Sequence, residues 1–397
     1  MKPLAARTDA LRQSDIRAVT AAVRRVGGLN LGQGICDLPT PDPIKTGAIA
    51  AIEDDQSIYT AYNGIAGLRQ GILAKAQRFN GLPATDDDEV MVSAGSTGAF
   101  AATVLALCDP GDEVILFEPF YGYHTGILKL FGVTPVAVPL QEPDWAVDFD
   151  ALAAAITPCT KAVVVCTPAN PSGKVRTEAE LQQMLALAEA HDLWLVTDEI
   201  YEHMTYDGHR HVSMASLPGA YARTVTLSGF SKTFNMTGWR LGYAVAPRPV
   251  IEKMGLVNDL VYICAPAPLQ HGLAAALPMP DAYYQQMLAD YTAKRTLLCE
   301  TLEACGFEVN WPQGAYYVLA GTRALAARRA GFEDDHAASR TLIDEAGVGT
   351  VAGRSFFADP ERGRYLLRFC YAKEMPVLEE ACNRLRRALA EERAVPL

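Results

Sequence analysis

Short apolar runs alternate with segments of mixed polarity from residue 88 to about residue 230. The runs are rich in Val, Ile and Leu, and turn-forming residues separate them from stretches with helical spacing. Apolar runs bounded by turns predict buried strands, and their alternation with helices predicts a mainly parallel, doubly wound α/β sheet. The predicted strands are residues 89–92, 113–117, 135–138, 161–166, 193–197 and 224–227.

A different pattern follows Pro247. Residues 281–305 have the spacing of one long helix, which we expect to lead into a second domain. A chain of 397 residues is long for one core, so two domains are expected. We predict a large domain at 46–280 and a smaller α+β domain made of 1–45 and 281–397. The remaining predicted elements are helices at 9–26, 335–346 and 375–392 and strands at 308–309, 315–319 and 365–369.

Composition and charge narrow the class of protein. The net charge is −11 without long runs of one sign, which disfavours nucleic acid as a partner. No apolar run reaches the length of a membrane span, and the N-terminus lacks the apolar block of a signal peptide. We therefore expect a cytoplasmic protein with no nucleic-acid or membrane partner.

Cysteine and histidine positions give little support for a metal site. The nine cysteines form no CxxC pair and are scattered, as in proteins of a reducing compartment. His203, His209 and His211 form one local group, whose spacing in a polar segment favours a solvated turn. A metal site is the alternative interpretation.

Small polar residues follow the predicted strand at 89–92. Ser93-Ala-Gly-Ser-Thr-Gly98 opens an apolar helix, and free backbone N–H groups at a helix start form a natural phosphate cradle. Ser96 and Thr97 are the predicted contacts. The alternative is that these residues only cap the helix.

Three further strand ends carry side chains that suit ligand binding. Tyr121 follows the strand at 113–117, and a core aromatic is the alternative there. Asn170 lies in a rigid turn between two prolines, which could aim its amide at a ligand. Asp198 directly follows a buried strand, where a carboxylate needs either a partner or a capping role. Because open α/β sheets bind ligands along this edge, we expect these groups to converge.

The strand at 224–227 leads into a stretch of small residues around Lys232. A lysine with little steric cover suits imine formation with a carbonyl. The hydroxyls of Ser228 and Ser231 and the guanidinium of Arg240 could hold a phosphate beside it. A surface loop with a solvated lysine and an ion-paired arginine is the alternative.

Residues 229–242, from Gly229-Phe-Ser-Lys232 to Arg240-Leu-Gly242, resemble the lysine signature of the class I/II aminotransferases of fold type I. The resemblance implies pyridoxal 5′-phosphate (PLP) on Lys232. It also implies that Asp198 keeps the pyridine nitrogen protonated and that Asn170 and Tyr201 hydrogen-bond the ring oxygen. In the same family an aromatic ring at the position of Tyr121 stacks on the pyridine.

Three other segments are similar to parts of the same family. Gly34 lies in a turn-rich arm whose backbone approaches the substrate carboxylate in the family, although Ile35-Cys36 departs from the usual residue followed by proline. Arg368 matches the arginine that clamps that carboxylate together with Asn170, and a salt bridge to a nearby acid is the alternative. The tyrosine at the position of Tyr59 reaches the cofactor phosphate of the neighbouring subunit, which implies a homodimer with shared active sites.

The implied reaction is ping-pong transamination between an L-amino acid and a 2-oxo acid. A PLP-dependent carbon–sulfur lyase of the same fold uses nearly the same residues and is the alternative. A regulator with an aminotransferase-like domain would need an added DNA-binding module. About thirty residues precede the arm, which is too few for one.

The substrate side chain is left open by the sequence. Arg354 stands where the family often has a small residue, and its guanidinium could receive a second carboxylate. It could equally pair with Asp359 or Glu361, which would leave Phe356 and Tyr62 beside a pocket for apolar or aromatic side chains.

Overall fold

The computed structural model describes residues 2, 4–8 and 15–390. The predicted helical residues 9–14 and 391–392 lie outside this range. The strands are β1 Leu29–Asn30, β2 Val90–Ala94, β3 Glu113–Glu118, β4 Thr134–Gln141, β5 Ala146–Val147, β6 Thr160–Cys166, β7 Trp194–Asp198, β8 Thr224–Gly229, β9 Leu241–Val245, β10 Glu308–Val309, β11 Tyr317–Gly321, β12 Val348–Gly349, β13 Val351–Ala352 and β14 Leu366–Cys370.

Helices separate most of these strands along the chain. They are α1 Asp15–Arg25, α2 Asp42–Glu53, α3 Ala66–Lys75, α4 Gly95–Leu107, α5 Gly122–Leu130, α6 Phe149–Ala154, α7 Glu178–Ala190, α8 Phe230–Thr233, α9 Arg248–Tyr262, α10 Ala267–Ala276, α11 Asp281–Ala304, α12 Arg323–Ala326, α13 Asp335–Thr341 and α14 Met375–Ala390. None of the helices in the described part of the chain is long and apolar enough to cross a bilayer.

The large sheet has the strand order β2-β9-β8-β7-β6-β3-β4-β5. Strands β8, β7, β6, β3 and β4 are mutually parallel, whereas β9 runs antiparallel to both of its neighbours. The expectation of a mainly parallel sheet in an α/β fold is confirmed. Strand β9 was not predicted from the sequence, because its first two residues are also the last two residues of the lysine signature.

Both faces of the large sheet are buried, which explains why its strands are continuous apolar runs. In β6, Val163 and Val165 pack into the core on one face. Ala162 and Val164, which alternate with them, pack into the core on the other face. Successive side chains of a strand point to opposite faces, so a strand covered on both sides needs apolar residues at every position.

A second, antiparallel sheet has the order β10-β11-β14-β13. Its apolar residues share one core with α11 and α14, including Tyr291, Phe369 and Leu385. The arm after β1 lies along the end of β14, where the amide of Cys370 donates to the carbonyl of Leu31 at 2.7 Å. The second sheet and the arm therefore meet beside the large sheet, while the proposed domain boundaries stay a prediction.

Candidate active site

The carboxyl ends of β2, β3, β6, β7 and β8 open on one edge of the large sheet. Ser96 follows β2, Tyr121 follows β3 and Asn170 follows β6. Asp198 is the last residue of β7, and Lys232 lies in the short helix that follows β8. Because these five strands run in the same direction, their ends deliver the predicted groups to one cleft.

Lys232 is partly buried and points across the cleft toward the N-terminal arm. Its amine donates to the carbonyl of Gly34 at 3.2 Å and lies 5.6 Å from the centre of the Tyr316 ring. Burial lowers the pKa of the Lys232 amine from its ordinary 10.5 to about 8. The alternative of a solvated surface lysine is therefore excluded, and the amine is prepared for attack on a carbonyl.

The start of α4 forms a cradle with Arg240. Gly95 has a positive φ of 74°, and a Cβ atom there would lie 2.3 Å from Arg240 Nη2. A Cβ atom at Gly242 would lie 2.3 Å from the amide nitrogen of Ser96. Only glycine at both positions lets the guanidinium and the helix start approach so closely. Ser96 and Thr97 lie in that first turn, where backbone N–H groups have no helical acceptor.

The donors of this cradle suit a phosphate. Arg240 is exposed, and within the described part of the chain its hydrogen bonds go to two neutral carbonyls, those of Thr237 at 3.0 Å and Ala94 at 3.3 Å. Ser231 is buried one residue before Lys232. The residues present therefore fit the phosphate group that PLP would bring to this position.

Ser228 does not belong to the cradle. Its hydroxyl is buried and donates to Glu202 Oε1 at 2.9 Å, in the interior beneath the sheet end. The prediction that Ser228 contacts a phosphate is wrong, because that hydroxyl already has an acceptor inside the fold. The acceptor lies 26 residues away along the chain, so the local pattern could not indicate it.

Asp198 is held by a residue that the sequence did not single out. His124 Nε2 lies 3.2 Å from Asp198 Oδ2, and both side chains are buried. The His124 ring is fixed between Phe100, at 4.4 Å, and the edge of Tyr121, at 5.3 Å. One signal was available, because His124 begins the helix after a strand whose end was already assigned to the site. Burial also raises the pKa of the Tyr121 hydroxyl, which keeps it neutral.

Arg368 is buried among neutral partners. Its Nη1 donates to Asn170 Oδ1 at 3.0 Å, and its Nη2 donates to the carbonyl of Gly32 at 2.7 Å. Its Nε has no hydrogen-bond partner, and the guanidinium lies between the rings of Tyr317 and Phe356, at 4.3 and 4.9 Å. Within the described residues no carboxylate forms an ion pair with it, so the salt-bridge alternative fails. A buried guanidinium with a free donor suits an incoming carboxylate.

Two adjacent tyrosines of the small sheet complete the cleft. The Tyr316 hydroxyl donates to the same Gly34 carbonyl as Lys232, at 3.2 Å. The hydroxyls of Tyr201 and Tyr317 lie 3.3 Å apart. A Cβ atom at Gly34 would lie 1.8 Å from the Tyr317 hydroxyl, so only glycine fits at this position of the arm. The sequence placed both tyrosines in a strand and did not identify them as site residues.

Tyr59 does not reach the cleft of its own chain. It is 77% exposed and follows an exposed Ile58, in a segment that packs on α9 through a 2.7 Å hydrogen bond from Asn258 to the carbonyl of Tyr62. An outward-facing Tyr59 is compatible with the expected role in a neighbouring subunit.

The three histidines do not form one group, because His209 is exposed beside a turn whereas the side chains of His203 and His211 point into the fold. His211 Nε2 lies 2.9 Å from Glu199 Oε2, and His203 stacks between Phe79 and Tyr284. Glu199, Glu202 and His211 offer ligand atoms within 4.8 Å of one another. Protein donors already occupy the oxygens of both carboxylates, among them Ser213 on Glu199 and Asn80 on Glu202. The cluster therefore carries no metal assignment.

Arg354 is closed onto a buried carboxylate. Its Nε and Nη2 each lie 2.6 Å from Asp335 Oδ1, and its backbone amide donates to Asp335 Oδ2 at 2.9 Å. Hydrogen bonding to Asp335 raises the pKa of the Arg354 guanidinium. Neither Asp359 nor Glu361 is the ion-pair partner, and two of the three guanidinium nitrogens already face Asp335.

Comparisons with known proteins agree with this geometry. Residues 26–385 match the family described as aminotransferase class I and II. The chain is 35% identical over 379 residues to a probable N-succinyldiaminopimelate aminotransferase of Mycobacterium tuberculosis, covering 92% of this chain and 94% of that protein. It is 32% identical over 396 residues to aromatic-amino-acid aminotransferase 2 of Thermococcus litoralis, covering 99% and 100%. The solved structure of N-succinyldiaminopimelate aminotransferase from Mycobacterium tuberculosis has a TM-score of 0.92 at 33% identity, covering 97% of this chain and 100% of that one.

Proposed function

This chain belongs to the aminotransferase class I and II family, and from that premise we propose that it moves amino groups with PLP bound to Lys232. The donor is an L-amino acid and the acceptor a 2-oxo acid, used in alternation at one site. The comparisons support transamination, and no feature of the site favours the lyase alternative.

One observation carries the proposal. The Lys232 amine meets the carbonyl of Gly34, and the Arg368 guanidinium meets the carbonyl of Gly32, two residues earlier on the same arm. Among the described residues neither group has an ion-pair partner, and the two carbonyls that they contact are only two residues apart. An α-amino acid carries its carboxylate next to its reactive α carbon, so one molecule can reach both groups.

The residues around the cleft would hold each part of the cofactor. The cradle of Ser96, Thr97, Ser231 and Arg240 would take the phosphate, and Tyr121 would cover the ring. Asp198, oriented by His124, would pair with the ring nitrogen, and Asn170 and Tyr201 would face the ring oxygen. When bound, PLP withdraws electrons from the substrate's α carbon and carries the amino group between the two half-reactions.

The chain itself moves and holds the protons. Lys232 Nζ would take the proton from the substrate's α carbon, because its pKa of about 8 makes the unprotonated amine far more abundant near neutral pH than for an ordinary lysine. Burial raises the pKa of the Tyr201 hydroxyl well above its ordinary value, so Tyr201 acts as a hydrogen-bond donor and not as an anion. Arg368 and Asn170 orient the substrate carboxylate so that the α carbon faces the lysine.

We further propose a homodimer with shared active sites. Large apolar side chains are exposed together on α2, on the segment of Tyr59 and on α9, where Leu260 is 87% exposed. Large apolar side chains exposed in such number are typical of subunit interfaces. If Tyr59 completes the partner's cradle, mixing Lys232→Ala and Tyr59→Phe subunits should restore part of the activity that each lacks alone. Full activity in a demonstrated monomer would exclude this arrangement.

A direct assay tests the reaction. Amino donors are supplied with and without a 2-oxo acid, and both the new amino acid and free ammonia are measured. Transamination requires the 2-oxo acid and releases no ammonia. A lyase would instead give pyruvate and ammonia from a β-substituted donor without any acceptor, and that result would overturn the proposal.

A further inference from the structure

Tyr317 occupies a junction between three parts of the cleft. Its hydroxyl lies 3.3 Å from the Tyr201 hydroxyl, which belongs to the large-sheet side. Its ring lies 4.3 Å from the guanidinium of Arg368, which belongs to the small sheet. The same hydroxyl lies against Gly34 of the arm, where a Cβ atom would overlap it. Tyr317 is 3% exposed, so its hydroxyl cannot use solvent instead.

The small sheet fixes the position of this ring. In the register of β11 and β14, Arg368 is opposite Leu319, and Tyr317 is two residues from Leu319 on the same strand. Residues two apart on a strand share a face, so Tyr317 and Arg368 are diagonal neighbours on one side of the sheet. The flat contact between guanidinium and ring adds a cation–π attraction, which holds the ring in place.

The direction of the hydrogen bond between the two tyrosines decides what Tyr201 can do. Each hydroxyl has one proton, so in this pair one tyrosine donates and the other accepts. In this structure Tyr201 donates and Tyr317 accepts. If Tyr201 gave its proton to the ring oxygen of PLP, the bond between the tyrosines would reverse, and Tyr317, 3.3 Å away, would be placed to donate to the Tyr201 oxygen.

We propose that Tyr317 is a positioning residue that donates to Tyr201 and so directs the Tyr201 proton toward the cofactor oxygen. The inference rests on the proposed function, because it requires PLP in the cleft. Burial raises the pKa of the Tyr317 hydroxyl, which keeps its proton available at neutral pH. A donor chain of two hydroxyls polarises its terminal bond, so the Tyr201 hydrogen bond is stronger than it would be alone.

The test is the pH titration of the visible absorbance of PLP on Lys232 in the holoenzyme. Donors to the ring oxygen stabilise its negative charge and lower the pKa of the PLP–lysine linkage. In Tyr317→Phe we expect that pKa to rise by about one unit, the size expected when one hydrogen bond near a charge is weakened. An unchanged pKa overturns the inference.

A matched control separates this role from loss of a buried hydroxyl in general. The Tyr371 hydroxyl is equally buried in the same core and donates to the carbonyl of Ala315 at 3.0 Å, without contact to Tyr201. Tyr371→Phe should lose similar stability but leave the linkage pKa unchanged. An equal shift in both variants contradicts a specific role for Tyr317.

A double-mutant cycle shows whether Tyr317 acts through Tyr201. In a Tyr201→Phe background, the further change Tyr317→Phe should no longer move the linkage pKa. A full shift in that background refutes the hydroxyl chain. If the wild-type protein shows no PLP absorbance at all, the proposed function itself fails and this inference fails with it.

Discussion

The side chains of residues 198–202 lie on two faces, which differ in how their charged groups are paired. This difference distinguishes the charges that we propose act in catalysis from those that stabilise the fold. Asp198 and Tyr201 face the cleft, where their contacts are His124 and Tyr317. Glu199 and Glu202 face the interior on the opposite side. Both faces are buried and polar, yet only the interior face is fully paired.

The interior face is saturated with partners. Glu202 lies 2.5 Å from the Lys75 amine and also accepts hydrogen bonds from Asn80 at 2.7 Å and Ser228 at 2.9 Å. Burial alone would raise the pKa of Glu202, but the charge and hydrogen bond of Lys75, together with the nearby His203 and His211, lower that pKa to about 2. The same pairing raises the pKa of Lys75 although burial opposes it. These charges are therefore held for the stability of the fold.

On the cleft face, Lys232 and Arg368 have no ion-pair partner among the residues that the structure describes. Arg368 is bonded to an amide and a carbonyl, and the Lys232 amine is bonded to a carbonyl. Bringing an unpaired charge out of water costs several kcal/mol, so such a group persists only if the rest of the fold offsets it. Substrate and cofactor would supply the missing negative charges, so the proposed ligand site lies on this face and not on the interior one.

Of all the changes in the cleft, removal of Lys232 should cause the largest loss of activity. We expect Lys232→Ala to abolish both transamination and the visible absorbance of PLP, because no other amine in the cleft can form the bond. Absorbance spectra and assays with excess PLP measure the two losses. Borohydride reduction that still fixed PLP to a different lysine would contradict the assignment.

Removing Lys75 should have its main effect on stability. Lys75→Met leaves Glu202 buried without its cation, and loss of one partner of a buried pair destabilises by about 3–5 kcal/mol. Unfolding in urea at neutral pH measures this loss. The exposed pair of Lys45 and Asp42 provides the control, since Lys45→Met should cause no measurable change.

The double variant Lys75→Met/Glu202→Gln sharpens that test. It removes both charges and should recover most of the lost stability. In the wild type the folded pKa of Glu202 lies below its ordinary 4.5. Its stabilising contribution is therefore complete above pH 4.5 and lost as the pH falls toward 2. If Lys75→Met and the double variant were equally destabilised, charge pairing would not be the cause of the stability loss.

Replacing Arg368 should affect activity and not stability. We expect Arg368→Ala to lower kcat/KM for amino donors about 100-fold, which corresponds to about 3 kcal/mol of lost carboxylate binding. Arg368→Lys keeps the charge but loses the two-pronged geometry, and should recover only part of that loss. Unfolding of the apoenzyme should be unchanged or slightly improved, because a buried unpaired charge has been removed. A stability loss as large as that of Lys75→Met would place Arg368 among the structural charges.

The sequence predicted the cleft better than the interior face, for a physical reason. Asp198, Asn170 and Lys232 directly follow apolar runs, and the direction of parallel strands brings such ends together without further information. The partners on the interior face come from distant segments, as when Lys75 pairs with Glu202, 127 residues further along the chain. No local pattern indicates such a pair.

Contacts between the two sheets were missed for the same reason. Tyr201 and Tyr317 are 116 residues apart, and each looks like an ordinary core aromatic in its own segment. The wrong assignment of Ser228 has a related cause, since a hydroxyl beside a signature lysine can point to either side of the strand. Which side it takes depends on Glu202, whose own position is set by the Lys75 helix.

The titration of Lys232 gives a smaller but direct measure of an unpaired charge. In the apoenzyme, an amine-reactive reagent should label Lys232 with a midpoint near pH 8, whereas a free lysine side chain titrates near 10.5. The folded pKa is lower than the unfolded one, so stability should increase as the pH rises from 8 to 10.5. Lys232→Met should lack this increase. Labelling followed by mass spectrometry identifies the site, and a midpoint near 10.5 would show that the amine is solvated.

Replacing Arg354 should change catalysis least, because this guanidinium is paired like those of the interior face. Its Nε and Nη2 are paired with Asp335, whereas the Nε of Arg368 has no partner among the described residues. Arg354→Ala should therefore change kcat/KM for glutamate and for an aromatic donor by the same small factor, about threefold or less per folded enzyme. Of these two donors, only glutamate has a side-chain carboxylate that a second cation could bind. A loss confined to glutamate would mean that Arg354 leaves Asp335 when substrate binds, and the distinction between paired and unpaired arginines would then fail at this residue.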